Sequence, residues 1–100
     1  MTNLTAQNFS EFISNSNKTV IVDFWAPWCG PCRAQTPVLE QLQSELSDSL
    51  VVGKVNVDDE PALAMAYGVE SIPTIIVFTN GQAVNKAVGL RSLQQLKSML

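Results

Sequence analysis

Two apolar runs separated by a helix-period segment constrain the fold of this chain more than any other feature. Thr19 to Trp25 is apolar and β-branched, broken only by Asp23, which is the pattern of a strand buried on both faces. Leu50 to Val57 repeats it, interrupted by Gly53 and Lys54. Between them, Pro31 to about Ser47 takes the helical period, with Val38, Leu39, Leu42 and Leu46 on its buried side. Pro37 lies inside that helix, where a kink is expected. Helices that cross over between buried strands give a parallel core.

The remaining segments build an α/β layer structure around that core. A short strand is expected near Thr2–Leu4, and Phe9, Phe12 and Ile13 are spaced for a first helix near residues 7–15. Asp58 or Asp59 can cap a short helix that runs through Tyr67, with Pro61 in its first turn and Gly68 as its stop. Thr74–Thr79 and Ala83–Val88 flank Asn80-Gly81, a strong hairpin signal that adds an antiparallel edge. Ser92 to Gln95 fits a capping box, and the last helix is expected to turn Leu93, Leu96 and Leu100 inward. The 100 residues are a single-domain length, so 1–100 reads as one domain with a central sheet and helices on both faces.

The chain has only two cysteines, Cys29 and Cys32. As a staple they would close a very small loop and restrict the unfolded chain little. As half of a zinc site they would need two further Cys or His ligands; the chain has no histidine and no other cysteine. A reactive dithiol fits better. Cys29 falls just beyond the strand ending at Trp25, where the helix begins, and reactive groups gather beyond the carboxyl ends of such strands. Unpaired N–H groups and the dipole at that helix start favour a thiolate, the form that attacks a disulfide. Cys29 is thus the expected nucleophile and Cys32, one turn further in, the resolving thiol. Gly30-Pro31 sets the turn between them.

Asp23 interrupts a buried strand, where an unpaired carboxylate is costly, so its pKa is expected to be raised. On the strand alternation it shares a side with Ile21 and Trp25. It is the candidate acceptor of the Cys32 proton, with Lys54 as its candidate partner. Trp25 is expected to pack under the active-site loop and Trp28 to cover it. Ile72-Pro73 precedes a strand, where proline withholds a donor from the sheet.

Composition removes several function classes. The net charge is −3 and the six Lys and Arg are scattered singly, so no basic stripe for nucleic acid is available. No apolar run approaches the ~20 residues of a membrane span. Met1-Thr2-Asn3-Leu4 lacks a basic segment leading into an apolar one, so no secretory signal is visible and a cytoplasmic location is expected. No G-x-G-x-x-G motif is present, so electrons must come from a partner and not from a bound nucleotide.

The run Val22-Asp23-Phe24-Trp25-Ala26-Pro27-Trp28-Cys29-Gly30-Pro31-Cys32-Arg33 resembles the active-site signature of the thioredoxin family. Pro37, Lys54 to Asp58, Tyr67-Gly68-Val69, Ile72-Pro73-Thr74, Asn80-Gly81 and Val88-Gly89 recur at the family's spacings, so the resemblance covers essentially the whole chain. It implies a thioredoxin fold, a five-stranded mixed sheet in order 1-3-2-4-5 flanked by four helices, with a cis Ile72-Pro73 bond against the cysteines. It further implies a flat apolar docking face made by Trp28, Gly30, Pro31, Ile72, Pro73, Val88 and Gly89. The implied role is a monomeric general protein-disulfide reductase without a cofactor of its own, recharged by an NADPH-dependent flavoprotein reductase. Departures are a first strand limited to Met1–Thr5, Arg33 where lysine is common, and unusually polar Gln35-Thr36 and Asn85. Two other readings compete: an oxidase or isomerase of the same fold, and a binding module or subunit in which redox activity is secondary. Gly30-Pro31 resembles the reducing members.

Overall fold

The computed structural model describes residues 1–15 and 17–100. In chain order the elements are β1 (Thr2–Asn3), α1 (Phe9–Ile13), β2 (Thr19–Trp25), α2 (Gly30–Glu45), β3 (Leu50–Asn56), α3 (Pro61–Ala66), β4 (Thr74–Thr79), β5 (Gln82–Val88) and α4 (Leu93–Lys97). The strands form one sheet in the order β1-β3-β2-β4-β5. β2 is parallel to β3 and antiparallel to β4, and β1 is parallel to β3. The expected thioredoxin-type topology is therefore present.

Alternation along the strands divides the interior into two layers. Val20, Val22 and Phe24 of β2 join Val55, Ile76 and Phe78 in one core with Phe9 and Ile13 of α1 and Ala64 of α3. Ile21 of β2, with Leu50, Val52, Ile75 and Val77, packs on the other face against Leu39 and Leu42 of α2 and Leu96 of α4. Gly53 is required by the first layer: a Cβ there would stand 2.5 Å from Leu4 Cδ1 and 2.8 Å from the Phe12 ring. The residue that looked like a strand interruption is the seat on which β1 and α1 rest.

The hairpin turns at Asn80 and Gly81 with φ of 51° and 80°, the paired left-handed conformations of a type I′ turn. β5 is an exposed edge strand, and the pairing shifts register between Val77 and Phe78.

Four expectations about the helices need correction. α1 is shorter than residues 7–15 and begins at Phe9. α2 starts at Gly30 and ends at Glu45, before Ser47. α3 is capped by neither aspartate: Glu60 occupies the N-cap, and its side chain makes no capping bond to the helix. Asp58 instead accepts from the Trp28 indole at 2.9 Å, and the Glu60 carboxylate accepts from the Ala6 amide at 2.6 Å. The Ser92–Gln95 capping box forms as expected, but α4 stops at Lys97, so Leu93 and Leu96 pack inward while Leu100 is exposed.

Candidate active site

The site is built where β2 hands the chain to α2. Cys29 is the N-cap of α2, with extended backbone, and its sulfur accepts the Cys32 amide N–H at 3.2 Å. A sulfur thus fills the position usually held by a capping oxygen, facing the unpaired donors of the first turn. Pro31 lies within that first turn, where its missing N–H costs no bond. The two sulfurs are joined as a disulfide, across Cα atoms 5.2 Å apart. Exposure is asymmetric: Cys29 keeps 6 % of its surface and Cys32 keeps none.

The opposite wall is the β4 entrance. The Ile72-Pro73 bond is cis, and the Ile72 carbonyl oxygen lies 3.9 Å from the Cys29 sulfur. The buried Pro73 in turn accepts the Gly89 N–H at 2.8 Å. Gly89 has φ of 94°, a conformation that a side chain would strain. Gly30 and Pro31 follow the Cys29 sulfur in the chain, Ile72 lies against it, and Pro73 ties Gly89, next to Val88, to the same wall. Of these neighbours, all but Pro73 are exposed or half-buried.

Trp25 is half-buried and packs against the cluster of Ala26, Cys29 and Cys32. Trp28 is 67 % exposed. Its indole N–H is tethered to Asp58, at the turn after β3.

Asp23 is completely buried, and neither carboxylate oxygen has a hydrogen-bond partner among the described residues. It pairs in register with Lys54 on β3 and Ile75 on β4. Ile21 and Ile75 face α2, so the alternation puts Asp23 on the same side of the sheet, beneath that helix. Burial pushes its pKa from 3.8 up to about 7, against the opposing pull of the Lys54 charge. Lys54 is not a direct ligand of that carboxylate. Its ammonium donates to Thr36 Oγ1 at 2.9 Å and stands 4.2 Å from the centre of the Trp25 ring. It acts on Asp23 through space only.

Two residues on α2 enter this arrangement that pattern reading did not assign. Thr36 accepts from Lys54 and donates to the Cys32 carbonyl at 3.4 Å. Gln35 is fully buried and bonded to Arg91. The available signal was position: Cys32, Gln35, Leu39 and Leu42 form the inward stripe of the helix, so a polar residue there calls for a partner. Among the described residues, no three or more His, Cys, Asp or Glu side chains gather as a metal site.

With a buried carboxylate beneath it and a cysteine pair at its start, α2 can exchange two electrons with a second dithiol–disulfide couple, reducing its disulfide when Cys29 and Cys32 are thiols. Known proteins match the sequence over most or all of its length. The family profile described as Thioredoxin matches residues 1–100. A thioredoxin of Chlamydia caviae is 50 % identical over 93 residues, covering 93 % of this chain and 88 % of that one. A thioredoxin of Pyropia yezoensis is 42 % identical over 97 residues, covering 97 % and 91 %. Thioredoxin 1 of Synechococcus elongatus is 45 % identical over 86 residues, covering 86 % and 80 %.

Proposed function

The chain belongs to the thioredoxin family and is a protein-disulfide reductase working by dithiol–disulfide exchange; from that premise we propose how its residues divide the reaction. The Cys29 thiolate attacks one sulfur of a target disulfide, forming a mixed disulfide and releasing the other target sulfur as a thiolate. Cys32 passes its proton to Asp23, attacks the Cys29 sulfur, and releases the first target sulfur. The target gains two electrons, and Cys29 and Cys32 end as the disulfide seen here. The asymmetric exposure carries this assignment, because only Cys29 has surface to offer an incoming sulfur. The helix start favours its thiolate.

Asp23 suits the proton step because its pKa, pushed up to about 7, lies near the working pH of such a base. Lys54, Trp25, Gly30, Pro31 and Pro73 support the site, and Trp28, Ile72, Val88 and Gly89 form the face on which an extended target segment docks. We read the chain as one domain over residues 1–100, acting as a monomer in the cytoplasm. There it would carry electrons from an NADPH-dependent flavoprotein reductase to protein disulfides, needing no cofactor of its own. The Gly30-Pro31 dipeptide, which resembles the reducing members, supports that direction.

Two measurements test the reading. Cys32→Ser should accumulate a mixed disulfide with insulin that Cys29→Ser does not form; the reverse result would exchange the roles. The reduction potential, followed by Trp25 and Trp28 fluorescence in defined thiol buffers, should lie clearly below that of the glutathione pool. A potential well above it would make the protein an oxidant or isomerase.

A further inference from the structure

The helix that holds the cysteines also buries an amide with a specific grip. Gln35 lies three residues after Cys32 in the inward stripe of α2 and has no exposed surface. A primary amide so placed is costly unless both of its ends are paired. Its Oε1 accepts the Arg91 N–H at 2.7 Å, and its Nε2 donates to the Arg91 carbonyl at 3.1 Å. Arg91 belongs to the connection between β5 and α4, outside both elements.

The same connection is tied at Gly89, whose N–H donates to the Pro73 carbonyl. Leu90 stands between the two ties and Val88 just before them, 47 % and 48 % exposed. Exposed apolar side chains on a segment fixed at two points form a rigid contact for a partner, as unanchored ones do not.

We infer that Gln35 is a positioning residue for protein targets, fastening the 88–91 connection to the active-site helix so that Val88 and Leu90 are presented at a set distance from the disulfide. The inference rests on the docking face proposed above and extends it to Leu90. The occupant it suits is an extended polypeptide segment carrying an apolar side chain near its disulfide. A connection released from Gln35 would hold the docking conformation only part of the time, and apparent affinity falls by that fraction.

The test mixes pre-reduced protein with excess insulin and follows single-turnover oxidation by fluorescence, giving a half-saturating concentration and a limiting rate. Gln35→Leu removes both bonds at similar volume. It should raise the half-saturating concentration roughly tenfold with the limiting rate held within about twofold, and speed amide hydrogen exchange at Arg91 at least about tenfold. Gln35→Glu keeps the acceptor for the Arg91 N–H and should fall between; it serves also if the leucine variant does not fold. An unchanged half-saturating concentration, or a limiting rate that falls with it, overturns the positioning role. Val88→Asp separates the two levels. If it weakens insulin binding while Gln35→Leu does not, the docking face stands and this inference fails. If Val88→Asp has no effect, the docking face fails and the inference with it.

Discussion

Asp23 is the residue on which acid–base behaviour and stability meet. Unfolded, its carboxyl loses its proton near the ordinary value of 3.8; folded, it holds it to about 7. Between those values the folded protein binds the extra proton, so stability is whole below about pH 4 and declines as pH rises to about 7. Asp23→Asn never ionises. It should match the native chain in urea unfolding near about pH 3 and exceed it near about pH 8 by about 4 kcal/mol. Equal stabilities at the higher pH would mean that the buried carboxylate carries no desolvation cost. The same substitution should slow resolution of the mixed disulfide and remove the rise of its rate with pH through about 7, measured by stopped-flow release of target; an unchanged profile would assign the proton elsewhere. Lys54 tunes this value while held by Thr36. Thr36→Val frees the ammonium to approach Asp23 and should lower its titration midpoint by on the order of one unit, read by carboxyl carbon NMR. Cys29, Cys32 and Asp23 were legible as chemistry because each breaks a local expectation of type or burial. Gln35 and Thr36 were legible only as polar oddities, because their partners lie 56 and 18 residues away.

Elements were readable to the extent that their causes are local. The apolar runs of β2 and β3, the Asn80-Gly81 turn and the Ser92–Gln95 capping box each contain their own explanation, and all appear near the expected positions. The cap of α3 was misread because Asp58 serves Trp28, 30 residues earlier in the chain. α4 falls short of Leu100 although its apolar spacing continues to the last residue. Gly53 shows the same limit from the other side, since its purpose depends on Leu4 and Phe12 arriving from elsewhere. Gly53→Ala should therefore destabilise the fold by about 1–3 kcal/mol, lowering Tm by roughly 5–15 °C. The potential of the Cys29/Cys32 couple should not move, because the overpacking lies on the sheet face opposite α2. A calorimetric scan beside a redox titration checks both halves of that statement.

At the scale of the whole molecule, two apolar layers share one sheet, and the reactive end sits where both are already closed. Overall topology followed from parallel core strands with a crossover helix, whereas the order of all five strands and the cis bond came only with the family resemblance. Pattern alone does not choose which edge β1 joins. The two layers share β2, β3 and β4, so urea should unfold the chain in one cooperative transition, with fluorescence and circular dichroism coinciding. Replacing both cysteines with serine should preserve that transition and abolish insulin reduction. Biological activity surviving in the double variant would favour a binding role over a catalytic one. The concealment of Cys32 beside an accessible Cys29 also sets a clock. A target is captured in a second-order encounter, but its release is an internal, first-order event between neighbours already in place. Dilution therefore lengthens the wait for a target and leaves the lifetime of the covalent pair untouched, so no captured protein depends on a third molecule to be set free.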